Sequence, residues 1–168
     1  MVYLLNFLLL AILTFLTVSV FPYFRIFSVV PMLPVMFLVL AAYFRKGFEP
    51  ILLAAFAGLV LDFASGSPFG FYLAALLLGA GIVRFVYEEG LKYFPIGFYL
   101  LYTALTLIIL YAAQVAYVWI DRGVIIWNDL YSLLWAVLLN LIFAIIVYVP
   151  GERYFDYASQ LETKLKRR

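Results

Sequence analysis

Gly58-Leu-Val-Leu-Asp62-Phe-Ala-Ser65-Gly66-Ser67-Pro68-Phe-Gly70 is the stretch on which the fold turns. A helix starting near Phe48 and rising 1.5 Å per residue carries Asp62 about 21 Å along its axis. The apolar run before that acid, residues 50 to 61, spans only about 18 Å of a hydrocarbon layer about 30 Å thick. Asp62 therefore sits at membrane depth if this segment crosses. A carboxylate there costs about 2.5–3.5 kcal/mol on insertion scales, so it needs a partner. Ser65, Gly66 and Ser67 offer one, because a Gly/Ser turn presents backbone N–H donors to a nearby acid. Ser67 and Pro68 also suit the N-cap and first residue of a following helix, whose positive dipole end would face Asp62. Two readings follow: a structural clamp that holds a break between two helices, or a ligand or proton site.

The surrounding composition makes membrane depth the right frame. Of 168 residues, 68% are hydrophobic and only 12% charged, with mean hydropathy +1.14, against about 45–50% apolar in globular chains. Six spans of about 20 residues leave too little chain for a soluble domain. The sequence has no cysteine and no histidine, which removes thiol nucleophiles, disulfides, His ligation and the usual general base at neutral pH. No cofactor or metal is expected, and a net charge of +2 is too small to point to nucleic acid.

Charges mark the boundaries of the uncharged intervals and predict six spans, at about 3–24, 27–44, 48–63, 69–87, 95–120 and 130–149, in a domain covering 1–150. Residues 151–168 form a basic tail. The amino terminus, the connections after spans two and four, and the tail together carry nine of the 11 Lys and Arg residues; only Arg25 and Arg122 fall on the other side. The positive-inside rule then predicts both termini in the cytoplasm. A five-span arrangement with a re-entrant third segment divides the same residues eight to three and also leaves the tail inside. The first segment lacks a basic n-region and an A-x-A cleavage pattern, so it reads as a retained helix rather than a signal peptide.

Small and polar residues at helical spacing predict which faces meet. Ala136, Asn140 and Ala144 form such a stripe in the last span; Ala54 with Gly58, Ala75 with Gly79, and Ala112 with Ala116 form three more pairs; Asn6, Thr14 and Thr17 share a face of the first. The expected result is an all-α six-helix transmembrane bundle with a broken connection between helices three and four. A cavity lined by Asn6, Gln114 and Asn140 is the sharper alternative. Pro31 and Pro34 suit the first turn of the second helix or a kink within it.

Two segments at the ends of spans stand out. Val124, Ile125, Ile126 and Trp127 are unusually apolar for a connection and predict either an interfacial dip or contact with a partner. In the tail, Tyr154, Ala158, Leu161 and Leu165 repeat at helical spacing beside Lys164, Lys166, Arg167 and Arg168, predicting a short helix along the inner membrane surface.

Gly58, Asp62, Ser65-Gly66-Ser67 and Gly70 between apolar helices, Pro31 at the start of the second helix, Asn140 in the last, and the short basic tail resemble the rod-shape-determining protein MreD family of bacteria. The family often has a basic residue, Pro and then Asn or Asp where this chain has Val30-Pro31-Met32, and Pro34 is additional. The resemblance implies a non-enzymatic scaffold in the bacterial inner membrane. Its partner would be MreC, a single-span protein with a periplasmic coiled coil. Through it the scaffold would link cytoplasmic MreB filaments to the RodA glycosyltransferase and its class B penicillin-binding protein in peptidoglycan synthesis.

That family's fold is similar to the substrate-binding subunits of energy-coupling-factor vitamin transporters, which makes such a subunit the alternative. Those subunits commonly carry an Ala-xxx-Ala face in the first helix, and residues 6–20 have no such pair. Ser67, without histidine or a nucleophile elbow, offers little to an intramembrane hydrolase.

Overall fold

The computed structural model describes residues 2–24, 29–45, 47–65, 68–88, 95–122 and 127–166. Among these the chain is helical almost throughout, in the order α1 (Val2–Phe15), α2 (Leu33–Phe44), α3 (Glu49–Ser65), α4 (Phe71–Glu88), α5 (Pro95–Arg122) and α6 (Trp127–Lys166). Three segments are long and apolar enough to cross a membrane: Tyr3–Tyr23, Ile96–Ile120 and Tyr131–Leu161. The first contains α1 and its continuation as a π turn, Leu16–Val20, and a 3-10 turn beginning at Phe21. Thr14 and Thr17 donate to the Leu10 and Leu13 carbonyls at 2.8 and 2.9 Å. Their hydroxyls are thus satisfied within the helix itself, as apolar surroundings require.

The short helix α2 is the axis of the fold. Every residue from Pro34 to Ala42 is buried, and α2 packs against α1, α3, α4, α5 and α6. A helix enclosed on all sides needs no polar face, which is why its sequence shows no amphipathic pattern. Among the described residues of the expected span 27–44, the helix begins at Leu33. Pro31 disfavours a helical conformation at Val30, and residues 30–32 are not helical. The helix instead starts around Pro34, in its first turn, with the Met32 carbonyl accepting from the Val35 and Met36 N–H groups at 3.1 and 3.4 Å.

Close approach between neighbours falls where the small residues are. A Cβ on Gly58 would lie 2.5 Å from the Leu73 Cα, so α3 and α4 meet backbone to backbone. Gly79 gives α5 a similar seat: a Cβ there would lie 2.5 Å from Thr106 Cγ2. Ala136, Asn140 and Ala144 form the buried stripe of α6. Ala112 and Ala116, by contrast, lie exposed on α5.

The expected boundary between a last span at 130–149 and a surface tail falls inside one continuous helix. α6 runs through Pro150 to Lys166, 40 residues, or about 60 Å at 1.5 Å per residue. The proline removes a single N–H donor, and the helix continues because residues beyond it are packed. Phe155 and Ala158 are buried. Phe155 stacks on Phe44 at 5.6 Å between centroids and lies 5.5 Å from Phe37. Gly151 meets the side chain of Leu40. The first two turns of the tail therefore complete the core around the C-terminal end of α2.

Candidate functional site

Asp62 lies one turn before the end of α3, with only 4% of its surface exposed. Its carboxylate accepts three backbone hydrogen bonds: Oδ1 from the N–H of Tyr72 at 2.7 Å, and Oδ2 from those of Gly70 and Leu73 at 3.0 and 3.2 Å. These are the donors that the first turn of a helix leaves without an intrahelical partner. The acid on one helix thus caps the next, and the positive end of the α4 dipole offsets its charge. Gly70 makes the geometry reachable with φ of +93°, a conformation that costs a residue with a Cβ energy. Its carbonyl accepts from Ala74 at 2.9 Å. Gly58, one turn before Asp62, lets α3 and α4 approach closely enough for these bonds.

The donors among the described residues, Gly70, Tyr72 and Leu73, lie beyond the Ser65-Gly66-Ser67 turn that the sequence offers. Ser65 closes α3 with an exposed side chain, Pro68 precedes the helix rather than opening it, and α4 begins at Phe71. Gly66 and Ser67 lie outside the described residues. The bonds come from Gly70, Tyr72 and Leu73, since a carboxylate reaches the N–H fan of a helix terminus most readily from beside its first turn.

A second buried polar cluster joins α1, the α2–α3 turn and α6. Arg45 caps the C-terminal end of α2, Glu49 opens α3, and Gly47 between them adopts φ of +83°. Arg45 Nε lies 3.8 Å from Glu49 Oε2, and its guanidinium sits 5.8 Å over the Phe155 ring. Asn6 donates its amide N–H to Glu49 Oε1 and accepts from the Tyr154 hydroxyl at 2.6 Å. Asn6, Arg45 and Glu49 are all buried. Opposite charges inside a low-dielectric bundle hold only with such partners. The i, i+4 spacing of Arg45 and Glu49 is the signal of their pairing in the sequence, and the helical-spacing stripe that holds Tyr154 marks the face of the tail but not its partner Asn6.

Asn140 serves a third junction. Its Oδ1 accepts from the Met32 N–H at 2.6 Å, and its amide donates to the Ala136 carbonyl at 2.8 Å and to the Tyr111 hydroxyl at 3.4 Å. It thereby holds the non-helical lead into α2 against α5 and α6. Asn6 and Asn140 thus serve different junctions. A cavity among the described residues is lined by Gln114 and Ala136 and by neither Asn6 nor Asn140, and Ala144 packs in the core away from it. Val124, Ile125 and Ile126, with the side chain of Trp127, lie outside the described residues. Among the described residues no group of three or more acidic side chains gathers as a metal site would require.

Comparisons of the chain with protein-family models, with curated proteins and with solved structures find no match.

Proposed function

We propose that the chain is a non-enzymatic membrane scaffold of the bacterial cell-elongation machinery, of the MreD kind, crossing the inner membrane six times with both termini in the cytoplasm. The observation that carries this reading is the use of Asp62. The residues on which the resemblance rests, Gly58, Asp62 and Gly70, act together as one joint between α3 and α4. Both carboxylate oxygens accept from backbone N–H groups at the start of α4, which supports a rigid frame rather than proton transfer.

Six crossings are consistent with the lengths of the short segments. α2 contributes 12 residues, about 18 Å, and the non-helical residues 29–32 before it add to that length. α3 and α4, with 17 and 18 residues, rise about 26 and 27 Å. On this reading MreC is the direct partner, with MreB, RodA and a class B penicillin-binding protein connected through it. Val124, Ile125, Ile126 and Trp127 would contribute to the contact on the periplasmic side.

Removing the gene tests the proposal. Rods should become spheres, and re-expression should restore rods, with no solute uptake lost. A vitamin-uptake defect that re-expression repairs while cell shape stays normal would replace this reading with that of a transporter subunit.

A further inference from the structure

The bundle holds an open cavity of about 290 Å³ where helix α2 gives way to non-helical chain. Its walls are Val29, Val30 and Met32 of that lead, Tyr72 at the start of α4, the 111–118 face of α5, and Ser132, Leu133 and Ala136 of α6. The space lies where the α2 cylinder, about 10 Å across with its side chains, ends and non-helical chain begins.

The chemistry of the walls is specific. Tyr111, Gln114 and Ser132 bring hydroxyl and amide groups, while Val29, Val30, Val115, Val118 and Leu133 bring apolar surface. Among the described residues no charged side chain lines the space. Residues 30–32 lie outside any helix, but Pro31 has no N–H and Met32 gives its N–H to Asn140 and its carbonyl to the Val35 and Met36 N–H groups, so the polar character of the cavity rests on Tyr111, Gln114 and Ser132. At about 30 Å³ per water, the volume takes a group the size of about ten waters.

We infer that this cavity is a binding site for an uncharged, hydrogen-bonding amphiphilic group: one with hydroxyl or amide functions on one edge and an apolar face on the other. An ion would meet no counter-charge among the described lining residues and would bear an unrecovered desolvation cost. A purely apolar group would offer the Gln114 amide no hydrogen bond. Such a group has two sources, the headgroup of a neutral lipid or a free neutral solute. The site is independent of whether the chain serves as a scaffold.

Native mass spectrometry of the full-length protein in mild detergent tests this with two neutral probes, monoolein for the lipid source and 4-hydroxybenzamide for the free solute. One molecule per chain of at least one probe should bind, and whichever binds identifies the source. Gln114→Leu, which removes a wall amide, should weaken binding about tenfold, the worth of one to two hydrogen bonds. Val118→Trp, which fills the space, should abolish it, while Ile142→Trp on an exposed face of α6 should leave it unchanged. Monodisperse elution of each variant confirms folding. Binding of neither probe, equal binding of anionic 4-hydroxybenzoate, or full binding by both Gln114→Leu and Val118→Trp would overturn the inference.

Discussion

Asp62 and Glu49 are both buried acids on α3, and their surroundings assign them different work. Among the described residues Asp62 accepts from backbone N–H groups, so its value is that of an acceptor. Asp62→Asn retains one good acceptor oxygen, whereas Asp62→Leu strands the α4 donors at about 1–3 kcal/mol each. Thermal unfolding of the purified protein should therefore rank wild type above Asn above Leu, with Leu strongly reduced in the membrane. Equal, full stability of Asn and Leu variants that have both lost function would show that the charge, and not the cap, matters. Glu49 instead faces Arg45. Glu49→Leu alone leaves a buried guanidinium and should cost about 3–5 kcal/mol, and adding Arg45→Met should recover much of that loss. A double variant no more stable than Glu49→Leu would contradict the pairing.

The helices show what was readable in the chain and what was not. Apolar intervals between charges located α1, α3, α4 and α5 closely, because hydrophobic length is a local property of sequence. The Ala54/Gly58 and Ala75/Gly79 pairs marked real close approaches for the same reason. Asp62 was identified as needing N–H donors, yet which donors depended on where the α4 turn begins, a matter of chain path. The late start of α2 and the length of α6 were hidden because tertiary packing overrides local signals. A Pro-Gly pair at 150–151 reads as a stop, but Phe155, Tyr154 and Ala158 gain enough burial to continue the helix. It follows that ending the chain after Pro150 should sharply lower abundance and thermal stability, whereas ending it after Leu161 should leave both near wild type. Phe155→Ala should cost about 3–5 kcal/mol. A chain ending at Pro150 with normal stability would return the tail to the role of a surface appendage.

At the scale of the whole molecule, three joints made by Asp62, Asn140 and the Arg45–Glu49–Asn6–Tyr154 cluster secure the elements around α2, each by satisfying backbone or charge that lipid cannot. Broad apolar faces remain outside, including Leu4, Leu8, Ile12 and Phe15 on α1 and Leu138, Ile142, Ile145 and Ile146 on α6. In a membrane these faces meet lipid, and on the proposed function they also offer a seat to a partner span. The absence of native cysteine allows single cysteines to report sidedness. Those at Gly47 and Ser159 should react with an impermeant reagent only after permeabilisation, and labelling at Gly47 in intact cells would reverse the orientation. The scaffold role itself is tested most directly by purifying the tagged full-length protein from native membranes in mild detergent and identifying what accompanies it. The account expects a single-span protein with a coiled-coil extracellular part, together with cell-wall synthases; recovery of an ATPase and its membrane coupling subunit in their place would contradict it.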